Sequence, residues 1–462
     1  MPDPFYHTIA LEDFSSAYLA ADDWEREVLP RLPQGWQEQA KELGAFSRSR
    51  QVSHPGDLLR GLLAYTLQGY SFRQLGAWSV LMEVGDLSEA AWSKRLRQSG
   101  RWLEWMLQEK LAASACQSPW LVGKGLRRVL LVDGTHLCCQ GQHGQVWRVH
   151  TAYDLQAGRL SEVQVTDDKV GENWNRFDLQ AGDLLVSDAA NGYRGHIAFA
   201  SRKQTDVVVR FSPRTLPLFD EQGHRIDVLR WLKGRHAPAG RVCSRTVWLH
   251  QPDGSEQQVR LVALRLSAEQ TRASMRRKKI KAQQAKRKLQ AETLYLAGWL
   301  LVVTSLPAQQ WSDAEVLALY RARWHIELFF KRLKQLLDAH CVRCERPESA
   351  RASILLFLLA WVLQEDELVQ ARLFLQEATA CPEQLSAGCS LPEPEQGQAG
   401  AISEWMLAAL SLDLLRQQVH GHICVARIRA CLPRLQRFLR GSPRKRTHWY
   451  SQVCHWLRTP AA

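Results

Sequence analysis

No stretch of the 462-residue chain is apolar for long enough to cross a bilayer. The longest apolar run, residues 354–363, is about half of the ~20 residues a spanning helix needs. The first residues, MPDPFYHTIALEDF, lack the basic stretch and apolar run of a secretory leader. The 11 cysteines are odd in number and irregularly spaced, so no disulfide framework is expected. A reducing cytoplasm is the expected location, with the thiols free. His340, Cys341 and Cys344 form H-C-x2-C, but no paired C-x-x-C or H-x3-H supplies a fourth zinc ligand. Cys138 and Cys139 read as buried filler beside a strand. No G-x4-G-K-[ST] loop is present, which argues against nucleotide hydrolysis. No internal repeat is found.

What the chain has is positive charge. Lys plus Arg total 60 against 47 Asp plus Glu, giving +13 and a pI near 9.3. Such a balance points to a polyanionic partner, with nucleic acid first. Hydrophobic residues make up 45%, enough for real cores, and the length suits about two to four domains. The 18 Trp serve either base stacking or packing, and packing is the commoner use.

Residues 1–118 read as helical. An amphipathic helix is expected over 57–67. Further helices follow at 71–79 and 87–111, the last carrying Lys94, Arg95, Arg97 and Arg101. A helix-turn-helix-like unit and a plain bundle with a basic rim both fit. From 128 the pattern turns to strands: VLLVD (129–133), WRVHTAYD (147–154), LSEVQVT (160–166), DLLVSD (183–188) and DVVVRF (206–211). A short helix is expected around 172–180 and another over 190–203. Residues 241–250 and 258–266 alternate as antiparallel strands, and GWLLVVTSLP (298–307) reads as a buried strand. Between them, half of residues 271–288 are Lys or Arg. Charge alone leaves two readings open, a helix lying on phosphates or a mobile basic loop. After 346 the chain reads as helical, with a Pro-, Gly- and Glu-rich linker at 377–402 and a basic tail at 440–450.

The chain is organised around 313–337, read as one long helix with Ser312-Asp313 as its start. Tyr320, Arg323, Glu327 and Lys334 share one face, within an arc of roughly 60° at about 100° per residue. A carboxylate in a row with two cations suits a metal beside phosphates. A solvated face of weak ion pairs is the plainer alternative. The companions tip the balance. Two apolar strands end in Asp133 and Asp188, and ligands of open α/β sheets bind at the carboxyl ends of strands. Singly, Asp133 before Gly134 is a turn former and Asp188 an N-cap. Asp154, Asp167, Asp168, Glu172 and Asp183 compete as acids, with Asp183 expected at the wrong end of its strand.

The pattern Y-x2-R-x3-E-x6-K of Tyr320, Arg323, Glu327 and Lys334, with LLVDGT (130–135) and LLVSDAANGY (184–193), resembles DDE transposases of the insertion-sequence-four family. The 139 residues from Asp188 to Glu327 are similar to the long second-to-third spacing of that family. The resemblance covers about 128–345. It implies an α/β fold: an RNase H-like catalytic domain over 119–345 with a β-rich insert at 212–297. A helical DNA-binding region at 1–118 and a helical region at 346–462 flank it. It implies that Asp133, Asp188 and Glu327 bind two Mg²⁺ or Mn²⁺ ions. Tyr320, Arg323 and Lys334 would contact DNA phosphates. Arg210 resembles a DNA-contacting arginine, and Trp299 falls where relatives carry a Trp near the DNA end. Both also have plain readings, Arg210 as a strand-edge charge and Trp299 as core. The implied partners are double-stranded transposon ends and target DNA, bound by a homodimer, with no membrane. The implied reaction is cleavage at the ends followed by strand transfer. A metal-dependent nuclease without strand transfer and an inactive DNA-binding protein are the alternatives.

Overall fold

Runs of β-branched and leucine residues meet in the middle of one mixed sheet. The computed structural model describes residues 23–113, 124–139, 146–213, 215–344, 346–380, 403–423 and 425–439. Its strands are β1 (Arg128–Cys139), β2 (Val146–Asp154), β3 (Arg159–Asp167), β4 (Asp183–Ser187) and β5 (Asp206–Arg210). They continue as β6 (Val242–His250), β7 (Glu256–Arg265), β8 (Trp299–Thr304) and β9 (Cys341–Val342). The sheet order is β3-β2-β1-β4-β5-β8-β7-β6, with β9 on β1. β1 runs parallel to β4 and β9, and β4 to β5, while the other neighbours are antiparallel. Val129 to Val132 of β1 are buried, as a strand covered on both faces requires.

The helices in chain order are α1 (Trp36–Glu42), α2 (Pro55–Leu67), α3 (Phe72–Leu81), α4 (Glu89–Gln98) and α5 (Gly100–Ala113). Next come α6 (Arg194–Arg202), α7 (Val228–Lys233), α8 (Ala268–Gln284), α9 (Ala291–Leu296) and α10 (Asp313–Ala322). The last are α11 (Trp324–Leu336), α12 (Pro347–Ala380), α13 (Glu404–His420) and α14 (Val425–Leu439). None is long and apolar enough to cross a membrane among the described residues.

Two compact units form, one of Leu103–Leu412 and one joining Met1–Trp102 with Asp413–Ala462. The second is stitched by side chains. Buried Arg60 donates to Val419 O at 2.9 Å, and Arg73 Nε donates to Phe438 O at 2.7 Å. Cys431, Leu435 and Phe438 of α14 pack with Val80 of α3. A Cβ on Gly76 would lie 2.4 Å from the Phe438 ring, so only glycine lets α14 this close. The described residues 413–439 thus pack with N-terminal helices, a grouping that differs from the linear boundaries expected at 118 and 346.

Several elements depart from expectation. α2 is buried almost all round rather than amphipathic. The helix expected over 87–111 divides at Ser99, whose Oγ donates to Arg95 O at 2.8 Å. The helix expected at 172–180 is only one 3₁₀ turn, Trp174–Arg176, started by Asn173. The strands expected at 241–250 and 258–266 do pair antiparallel, and they extend the main sheet through β8. The linker expected at 377–402 begins inside α12, and its remainder, like the basic tail, lies outside the described residues. Cys138 is exposed rather than buried, since β1 has begun to alternate there.

Candidate active site

Register brings two acids together. β4 pairs with β1 up to Ser187 opposite Val132, so the next residues on the two chains are Asp188 and Asp133. β1 continues along β2 with Asp133 opposite Thr151, and meets β9 on its other edge only at Cys138. The acids therefore lie where β1 and β4 part, at the carboxyl ends of parallel strands. β1 does not end at Asp133, as the sequence pattern suggested, but runs on to Cys139. Each acid also forms its local turn. Asp133 Oδ1 accepts from Gly134 N, and Asp188 Oδ1 from Ala190 N, both at 2.8 Å.

The third acid arrives on α11. Ile326, Phe329, Phe330 and Leu333 form its buried face. α11 packs against β1, with the Phe329 ring 5.2 Å from Trp361 and 6.5 Å from Tyr153. Glu327 stands one residue round from that face, half-buried. The expected single helix 313–337 is interrupted at Arg323, where Arg323 N donates to Tyr320 O and Ile326 N to Arg323 O, both at 3.2 Å. No Pro or Gly causes this; the turn tightens to i→i+3 bonds at the residue that serves the acids.

Arg323 is the hub. Its Nη1 donates to Asp133 Oδ2 at 3.2 Å, and its Nη2 donates to Glu327 Oε1. The guanidinium lies 5.9 Å from the Tyr320 ring centroid. Burial works against the Arg323 charge, but Tyr320, Glu327 and Asp133 outweigh it and raise its pKa. Asp133 is pushed up to about 7, by burial first and then by the charges of Asp188 and Glu172, against the Gly134 N–H and Arg323. Its folded value lies above the unfolded value near 3.9. The folded state therefore binds this proton more tightly. The resulting stability is full below about pH 4 and is lost as pH rises through about 7.

Glu172 is the site residue that sequence reasoning ranked only as a competitor. Its Oε2 accepts from Asn191 Nδ2 at 3.0 Å, and its backbone oxygen accepts from Tyr193 Oη at 3.4 Å. A Cβ on Gly134 would come within 2.8 Å of Glu172 Oε1. Glu172 thus joins the turn after Asp133 to the loop after Asp188. The Asn191 side-chain oxygen beside it is buried without a hydrogen-bond partner. Three of the other four competitors have structural duties. Asp154 and Asp167 each accept backbone N–H groups in turns, and Asp183 is buried against Arg128 at the opposite strand end.

The remaining expected residues separate. Lys334 is half-buried on the same side of α11 as Glu327, and burial lowers its pKa, with Cys138 opposing. Arg210 is exposed at the end of β5. Tyr320 is buried at 8% exposure and stands under Arg323, leaving little surface for a phosphate. The base-stacking expectation for Trp299 is corrected. Trp299 is 3% exposed, packs with Val303, Leu301 and Val209 in the core, and has the Arg265 guanidinium 5.3 Å from its ring centroid. No face is free for a base.

Among the described residues, no three His, Cys, Asp or Glu side chains stand close enough together to hold one ion. The donor set nonetheless fits a hard divalent cation. It is all oxygen, Asp188 and Glu172 raise the proton affinity of Asp133, and a cation, Arg323, already sits between Asp133 and Glu327.

These features define a carboxylate-centred site at the strand ends of a mixed α/β sheet. A family model described as "Transposase DDE domain" matches residues 124–363, a span that includes all three acids. The chain is 34% identical to the putative transposase InsL for insertion sequence element IS186A of Escherichia coli (strain K12), over 352 residues. That match covers 75% of this chain and 94% of the relative. It is likewise 34% identical to the transposase for insertion sequence element IS421 of Escherichia coli, over 353 residues and the same shares. The chain belongs to the DDE transposase family.

Proposed function

We propose that this protein is a DNA transposase of the insertion-sequence-four type, which cuts at the ends of its element and joins them to target DNA. The observation that carries the reading is the single guanidinium of Arg323 holding Asp133 and Glu327 together, with Asp188 and Glu172 close enough to raise Asp133. The strands β3-β2-β1-β4-β5 are read as an RNase H-like core and 212–297 as its insert. The helices of 1–118 are assigned to DNA binding, and a homodimer to the complex with paired ends.

Asp133, Asp188 and Glu327 would hold two Mg²⁺ or Mn²⁺ ions. Bound there, the metal would activate a water or 3′-hydroxyl and stabilise the leaving oxygen. The chain's own groups then have defined tasks. Arg323 exchanges its carboxylate partners for a DNA phosphate, to which its fork is matched. Lys334, half-desolvated on the same row, offers a second cation to the backbone. Glu172 holds the two Asp-bearing turns in register. Arg210 offers an exposed charge at the end of β5.

The test uses DNA carrying the gene's own flanking sequence, purified protein and Mg²⁺, with Asp188→Ala alongside. Excised and joined products that vanish in the variant are expected. Nicks without joined products would instead mark a nuclease. Binding without either product, equal in both proteins, would leave a DNA-binding protein.

A further inference from the structure

The basic stretch 271–288 is helical through Gln284, and α8 has an unusual surface. None of its residues is fully buried; Thr271, Ser274, Met275, Lys278 and Ala282 form one half-buried stripe, and the rest of the helix is exposed. It starts from a capping box, with Ser267 Oγ accepting from Gln270 N at 3.1 Å and Gln270 Oε1 accepting from Ser267 N at 3.2 Å. Beyond that cap it carries Arg272, Arg276, Arg277, Lys278, Lys279 and Lys281 against one acid, Glu269. Arg272–Arg276 and Arg277–Lys281 are like-charge pairs four apart, which oppose the helix. Arg272, Arg276, Arg277, Lys279 and Lys281 have no carboxylate partner among the described residues. A self-repelling helix held only along one half-buried stripe, with its charged rows left in the open, makes sense if an external anion completes it.

The arrangement of the charges says which anion. At about 100° per residue, Arg272, Arg276 and Lys279 fall within an arc of about 60°, and Arg277 and Lys281 within about 40°. The two rows are about 150° apart, on opposite flanks of the helix. One row alone would suit a flat anionic surface. Two opposed rows suit a cleft with anionic walls on both sides. The major groove of B-DNA is about 12 Å wide, and a helix with side chains is about 10–12 Å across.

Sheet register places this helix at the right end of its unit. Asp188 follows Ser187, which pairs with Val209 of β5. Arg210 pairs with Val302 of β8, and Trp299, the first residue of β8, pairs with Arg265, the last of β7. β7 therefore delivers the chain into α8 at the sheet end where Asp133 and Asp188 lie. We propose that α8 seats in the major groove of duplex DNA held at the acid site, with Arg272, Arg276 and Lys279 on one strand's phosphates and Arg277 and Lys281 on the other's. The inference rests on the reading of that site as DNA-acting and names the surface that holds the duplex.

The experiment measures duplex binding by full-length protein, by fluorescence anisotropy across a salt series. Three forms are compared: wild type, Arg272→Gln/Arg276→Gln/Lys279→Gln, and Arg277→Gln/Lys281→Gln. Glutamine keeps helix propensity, so all three should melt alike. Each flank variant is expected to flatten the slope of log K against log salt by about 0.9 per lost phosphate contact, roughly two to three units for the first and about two for the second. An RNA duplex of the same sequence is the groove control, because the deep, narrow A-form major groove does not admit a helix. Wild type should prefer the DNA duplex, and both variants should lose that preference. Unchanged slopes, an effect from one flank only, or equal losses on RNA and DNA would each overturn the proposal. Cleavage by wild type with unchanged slopes would sink α8 alone and leave the acid site standing. Flattened slopes in a protein that cuts nothing would keep α8 as a groove binder and remove the transposase reading.

Discussion

Converting Glu327 to Gln is expected to lower DNA cleavage by on the order of 10³-fold or more while sparing DNA binding. The argument is geometric. Gln has the shape of Glu, and the apolar face of α11, Ile326, Phe329, Phe330 and Leu333, is untouched, so the helix stays docked on β1. What changes is charge. Arg323 loses its anionic partner on α11 and keeps only Asp133. The oxygen set loses the third of the three proposed ligands. Cleavage rates on labelled DNA, read beside anisotropy of the same duplex, separate the two effects. Retained cleavage would remove Glu327 from the site. Lost binding would make it a structural anchor.

The second large effect concerns stability. Asp183→Ala is expected to destabilise the protein by about 3–5 kcal/mol, because it strands a buried guanidinium. Asp183 has no exposed surface. It accepts from Arg128 Nη2 at 2.7 Å, Arg128 Nε at 3.1 Å, Arg127 Nη1 at 3.1 Å and Gln180 N at 3.0 Å. Burial lowers the Arg128 pKa, but the Asp183 hydrogen bonds and charge, with smaller help from Glu162 and Asp154, overcome it and hold the group charged. With Asp183 gone, Arg128 keeps Asp178 O at 3.1 Å and Ser161 Oγ at 3.3 Å, neither of them an anion. At roughly 2–4 °C per kcal/mol for a domain of 150–250 residues, the melting temperature should fall by about 6–20 °C. Adding Arg128→Met should recover part of the loss, since removing both partners leaves no buried charge. A fall equivalent to under about 1 kcal/mol in the single variant would show that water reaches Arg128 and that the pair is not the lock it resembles.

Much of this was legible in the chain itself. Runs such as LLVD and LLVSD declare buried strands because side chains alternate across a covered sheet, and an acid closing such a run declares its carboxyl end. The opposite placement of Asp183 followed from the same logic. Other features depend on contacts between residues far apart in sequence. Glu172 reaches Asn191 and Gly134 only once the β3–β4 crossover has closed, so nothing near 172 marks it. The tightened turn falls at Arg323, whose side chain reaches Asp133 190 residues away, and a helix former gives no local sign of it. Trp299 was ambiguous by type, and only the packing of β8 between β5 and β7 showed that its ring is enclosed. The pairing of α14 with α3 rests on shapes such as Gly76 beneath Phe438, which no periodicity reveals. For 271–288 charge alone leaves helix and loop both open, and the structure gives a helix through Gln284, capped by Ser267.

The most direct test of the central claim, that these acids are built to hold a divalent cation, is a thermal melt at pH 8 with and without Mg²⁺, on wild type and Asp133→Asn. Without metal, wild type carries Asp133 ionised against Asp188 and Glu172, so the Asn variant should melt a few degrees higher, with the difference closing near pH 4. Saturating Mg²⁺ at 100 times its dissociation constant should stabilise wild type by about 2.7 kcal/mol for each ion bound and leave the variant unmoved. A variant that gains as much from Mg²⁺ as wild type, or a wild type that gains nothing, would contradict the account.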